Sequence, residues 1–79
     1  MSLHLDRTAF VIGNSHGLSL ALSVDGARVG SAELMLPADD DAVNAAIDTL
    51  VSQASRHGVQ IRGNKRTALF HQIEMGAVT

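Results

Sequence analysis

Between Leu18 and Val24 large apolar and small residues alternate without a break, and the run ends at Asp25-Gly26. Leu18, Leu20, Leu22 and Val24 share one parity; Ser19, Ala21 and Ser23 share the other. Successive side chains of a strand point to opposite faces, so this pattern makes a strand with one buried face. Asp-Gly suits the two central positions of a type I′ turn, both of which need positive φ. The chain must therefore double back at once, into a return strand over Ala27–Leu36. In that strand Val29 and Met35 fall on one parity and Ala32, Leu34 and Leu36 on the other. Gly30 sits where the parity changes, which fits either a bulge there or a strand end that is covered on both faces.

Upstream, Leu3–Ile12 holds the β-rich run Thr8-Ala9-Phe10-Val11-Ile12 and reads as a first strand. Gly13-Asn14-Ser15-His16-Gly17 is dense in turn formers and reads as the connecting loop. Downstream, Pro37 closes the third strand and Asp39-Asp40-Asp41 opens a helix. One carboxylate can accept from free N–H groups at the cap, and the others face the positive end of the helix dipole. Val43, Ala46, Ile47, Leu50, Val51 and Ala54 then recur at helical spacing as one apolar stripe. That stripe is expected to pack on Leu18, Leu20, Leu22 and Val24. Arg56 and His57 suit the last turn, and Gly58 the position after it.

Val59-Gln60-Ile61-Arg62 reads as a fourth strand, Gly63-Asn64-Lys65 as a turn and Arg66–Phe70 as a fifth strand. His71–Met75 fits either an extension of that strand or a helical tail, and Gly76–Thr79 is expected to fray. The expected fold is α+β: an antiparallel sheet of about five strands in the order β-β-β-α-β-β, with one amphipathic helix on one face. The 79 residues suit a single domain over 1–79.

Composition removes several classes of function. The chain has no cysteine, so disulfides, thiolate metal sites and cysteine nucleophiles are excluded. A secreted domain of this size would often need disulfides, which favours the cytoplasm. The start, Met-Ser-Leu-His-Leu-Asp-Arg, does not read as a signal peptide, and no run approaches a membrane span. Only Phe10 and Phe70 are aromatic, so no ring platform is available for stacking bases. The formal charge is −2, with six Lys or Arg against eight Asp or Glu, which argues against general phosphate binding. Direct contact with nucleic acid is therefore not expected, and neither is a membrane partner.

No motif carries catalysis. His4, His16, His57 and His71 form no metal-ligand spacing, so no metal and no cofactor is expected. Ser15-His16 are neighbours in sequence only, and no Gly-x-Ser-x-Gly surrounds a serine. The Gly13–Gly17 loop lacks the spacing and the following helix of a phosphate loop. No catalytic residue is assigned. What remains is charge. Asp39, Asp40 and Asp41 exceed what one helix cap requires. With Asp48, Asp25 and Glu33 they are the candidate acidic contact for a basic partner surface. Arg62, Lys65 and Arg66 form a secondary basic patch, suited to an acidic protein or a phosphate backbone. Acid before the helix and base after it would steer one docking orientation.

Val24-Asp25-Gly26, Val29-Gly30, the alanine-rich helix, and Gly63-Asn64-Lys65 leading into Ala68-Leu69-Phe70 together resemble the layout of small phage anti-CRISPR proteins aimed at type I effector complexes. The resemblance covers roughly residues 24–70. It implies a non-enzymatic, stoichiometric inhibitor in the bacterial cytoplasm. Its partner would be a CRISPR-Cas effector subunit, and it would occlude target DNA binding or nuclease recruitment. The alternative from the residues themselves is a small antitoxin-like or regulatory module that homodimerises.

Overall fold

A computed structural model describes residues 2–77, with side chains described through Met75. Three strands are followed by two helices: β1 (Leu3–Ile12), β2 (Ser15–Val24), β3 (Ala27–Leu36), α1 (Asp40–Arg56) and α2 (Asn64–Ala77). The strands form one antiparallel sheet in the order β1-β2-β3. The class is α+β, but the expected five strands and single helix are corrected to three strands and two helices.

The three strands follow their sequence signals. Asp25 and Gly26 take φ of 52° and 87°, the signs that a type I′ turn needs. The ladder pairs Leu22 with Gly30 and Ser23 with Arg28, leaving Val29 as the extra residue of a bulge. The bulge restores the parity, so Leu34 and Ala32 face inward beside Leu18 and Leu20. The first loop is shorter than expected. Gly13-Asn14 alone makes the turn, and Ser15, His16 and Gly17 already pair with Ile12, Val11 and Phe10. Gly13, at φ 59°, concentrates the reversal into two residues.

α1 begins where the aspartates place it. Asp39 is the cap: its Oδ1 accepts from the Ala42 N–H at 2.8 Å. At the other end Gly58, at φ 79°, donates to the Ser55 carbonyl, and Val59 donates to Ala54. Those two bonds complete a Schellman motif, with Val59 packed toward Ala54 in the core.

The expected fourth strand, Val59–Arg62, is an irregular connection. It reads as strand because Val59 and Ile61 alternate with polar residues. Here the alternation seats Ile61 in the core while the backbone pairs with no strand. The expected turn at Gly63-Asn64-Lys65 and strand at Arg66–Phe70 are instead the start of α2. Gly63, at φ 57°, turns the chain, and its carbonyl accepts from the Thr67 N–H at 3.1 Å. Arg66, Leu69, Phe70 and Ile73 then lie at i, i+3, i+4 and i+7, and Leu69 and Ile73 are buried. His71–Ala77 continues the helix, so His71–Met75 is the helical tail rather than an extension of the strand. Val78 and Thr79 lie outside the described residues.

Both helices cover one face of the sheet, α1 over β3 and α2 over β1. The core between the layers joins Leu5, Leu18, Leu20, Leu22 and Leu34 to Val43, Ile47, Leu50, Leu69 and Ile73. The α1 stripe and the β2 alternation thus meet in one apolar cluster, as the two patterns require. The opposite face of the sheet is open. It carries His4, Asp6, Thr8, Phe10 and Ile12 of β1, the small residues of β2, and Ser31, Glu33 and Met35 of β3.

Candidate functional site

The acidic residues do not converge. Asp25 lies in the β2–β3 turn, where its Oδ1 accepts from the Ser2 N–H at 2.8 Å and its own N–H donates to the Ser2 carbonyl at 2.9 Å. It ties the chain start to the hairpin. Asp39–Asp41 stand beyond the far end of β3, a whole strand away. Asp39 is committed to the helix cap. Asp48 lies on the same face of α1 as Asp41, about 10 Å along the axis from seven residues of rise. Its carboxylate takes the Arg66 guanidinium. Glu33 is exposed on the open sheet face, opposite Ser19. Among the described residues, Asp40, Asp41 and Glu33 are exposed and make no hydrogen bond or ion pair.

The basic patch divides in the same way. Arg66 bridges α2 to Asp48 of α1, and Arg62 donates to the Gln60 carboxamide at 3.1 Å. Lys65 points outward from the first turn of α2. Part of the bipolarity expected from the sequence is therefore neutralised inside the molecule.

What the structure brings together instead is an apolar end of the sheet. The rows Ile12–Ser15, Phe10–Gly17–Met35 and Val11–His16–Leu36 cross the strands where β1 ends and β3 stops. Ile12 is 65% exposed, Val11 61% and Met35 48%. The Phe10 ring lies flat across Gly17, where a Cβ would collide with it. Three residues separate Leu36 from the start of α1, so Asp40 and Asp41 stand at this same end. At the start of α1 an open depression is lined by Pro37, Ala38, Asp39 and Ala42. Exposed apolar residues with free carboxylates at the same end of the sheet suit contact with a protein surface that has apolar and basic parts.

Phe10, Val11, Ile12 and Met35 were not legible in the sequence as a site. The signal was there in weak form: Thr8–Ile12 is apolar on both parities, so no single face of that stretch can bury it all. Among the described residues no polar or charged side chain is buried, and no group of three or more His, Asp or Glu side chains could hold a metal ion. No described helix is long and apolar enough to cross a membrane. The chain matches no family model, no curated protein and no solved structure.

Proposed function

We propose that this protein acts by docking on another protein without catalysing a reaction, as a stoichiometric inhibitor of the anti-CRISPR kind in the bacterial cytoplasm. The observation that carries the docking is the exposed apolar end formed by Val11, Ile12 and Met35, with the free carboxylates of Asp40 and Asp41 at the same end of the sheet. Effector surfaces that grip nucleic acid are basic, so an acidic, apolar-centred contact is suited to covering one. The hairpin part of the resemblance, Val24-Asp25-Gly26 with Val29-Gly30, keeps its form in the fold. The Gly63-Asn64-Lys65 part does not, because that segment opens a helix rather than joining two strands.

The test is inhibition of target-DNA binding by a purified type I effector complex. The parent chain is expected to block it stoichiometrically. An Asp40→Asn/Asp41→Asn variant should bind more weakly and lose part of its salt dependence. An Ile12→Ser/Met35→Ser variant should lose at least about tenfold in affinity. No binding of the parent to the complex sinks the inhibitor reading. Unchanged affinity in both variants sinks the choice of surface. The alternative, an antitoxin-like homodimer, is decided by the oligomeric state, for which the strand edges supply an independent observation.

A further inference from the structure

The two edges of the sheet are not equivalent. On β3, Ser31 turns its N–H and C=O away from β2, because both bond to the Gln53 carboxamide of α1, each at 2.9 Å. At Ser31 that edge is capped by a side chain standing in for a strand. Ser31 pairs with Ala21, and Ala21 with Asp6. Outward and inward backbone groups alternate along an antiparallel ladder, so Leu3, Leu5, Arg7, Ala9 and Val11 turn theirs away from β2. Among the described residues no other strand pairs with that edge. From Arg7 to Ile12 the side chains are exposed on both faces, except for the half-buried Phe10. Val11 and Ile12 point to opposite faces and are both more than half exposed. A neighbouring strand would cover both, since cross-strand side chains meet on each face.

We infer that the free edge of β1 pairs antiparallel with β1 of a second copy, centred on Ala9, to make a continuous six-stranded sheet. Pairing centred on Arg7 would set two like charges against each other, and so would pairing centred on Asp6. Centred on Ala9, Arg7 lies opposite Val11 of the second copy and Asp6 opposite Ile12. The uncharged run Thr8–Ile12 then meets itself. The twofold arrangement is isologous and closes at two copies, and the Gln53 clamp interrupts the far edge at Ser31. The paired stretch is short, which suits a dimer of micromolar affinity rather than an obligate one. The inference rests on the strand edges; it gives Val11 and Ile12 to the second copy, so in the dimer only Met35, Asp40 and Asp41 of the docking surface stay free for another protein.

Sedimentation over a concentration series up to about 500 µM reads the equilibrium. Ala9→Pro removes the central outward N–H and leaves the β1–β2 ladder intact, because that donor does not face β2. It should raise the dimer dissociation constant at least roughly tenfold, with the monomer still folded. Val11→Lys, at an exposed position facing Arg7 of the second copy, should do the same by like-charge repulsion. In the parent, the Arg7, Ala9 and Val11 amides should gain exchange protection as concentration rises, while the Thr8 and Phe10 amides are protected throughout. A strict monomer across the series, or a dimer that both variants leave unchanged, overturns the inference.

Discussion

Gln53 pairs with the backbone of Ser31 through both ends of its carboxamide: Oε1 accepts from the Ser31 N–H and Nε2 donates to the Ser31 carbonyl, each at 2.9 Å. The contact is possible because Gly30, next along β3, has no side chain. A Cβ there would lie 3.3 Å from the Gln53 Cβ and 3.4 Å from the Leu50 carbonyl. Glycine at the bulge thus lets α1 settle close enough for a helix side chain to reach a strand edge. Gln53→Ala removes both bonds and should cost about 1–2 kcal/mol in chemical denaturation, with two half-exposed hydrogen bonds lost. Gln53→Glu keeps the acceptor but sets a carboxylate oxygen against the Ser31 carbonyl. It should cost at least as much, and a Gln53→Glu variant as stable as the parent would show the clamp contributes nothing.

Phe10 and Gly17 form a second pair in which glycine makes room. The Phe10 ring occupies the space where a Gly17 Cβ would stand, on the open face of the sheet. Gly17→Ala should therefore destabilise by about 1–2 kcal/mol, since the ring has to swing away from the strand it covers. In a Phe10→Ala background the same substitution should be close to neutral, because alanine suits a strand better than glycine once the ring is gone. The double-mutant cycle over these variants checks the contact directly, and additive costs would contradict it.

Leu50 is fully buried at the centre of the α1 stripe, within the cluster that includes Leu20, Leu22 and Ile47. A 79-residue domain carries about 4–12 kcal/mol of stability in total. Leu50→Ala should cost about 2–5 kcal/mol. Leu50→Asp buries an unpaired charge as well and should leave the chain unfolded by circular dichroism at room temperature. Ser52→Asp, two residues on and exposed, should stay within about 0.5 kcal/mol of the parent. A Leu50→Asp variant that melts like the parent would mean that a different face of α1 meets the sheet.

Much of this architecture was written in local pattern. The β2 alternation, Asp25-Gly26, the parity change at Gly30 and the α1 stripe with its aspartate cap each specify one element, and each element forms there. The second half was harder to read for a physical reason. Val59 and Ile61 alternate because a connection crossing the core buries every other side chain, as a strand does, without any ladder. α2 offers a stripe of only Arg66, Leu69, Phe70 and Ile73, two turns long, and Arg66–Phe70 mimics a short strand. The candidate surface was obscured differently. Which carboxylates are free depends on tertiary partners: Arg66 reaches Asp48 across two helices, and Ser2 reaches Asp25 from the chain start. The exposure of Ile12 and Met35 depends on helices that cover the opposite face of the sheet.

The helical state of residues 64–77 has its own test at Ala68, an exposed position in the second turn of α2. In a helix interior proline loses the bond from its nitrogen and crowds the carbonyl four residues back, at a cost of about 3 kcal/mol. At an exposed place on an edge strand the same residue is tolerated. Ala68→Pro should therefore lower both the stability and the helical circular dichroism of the folded chain. Leu69 and Ile73 would lose their seats over β1, because the turn that presents them is broken. Ala68→Glu keeps a good helix former at the same exposed site and should leave stability within about 0.5 kcal/mol of the parent. Equal stabilities for the proline and glutamate variants would count against the helix and restore an extended reading of this segment.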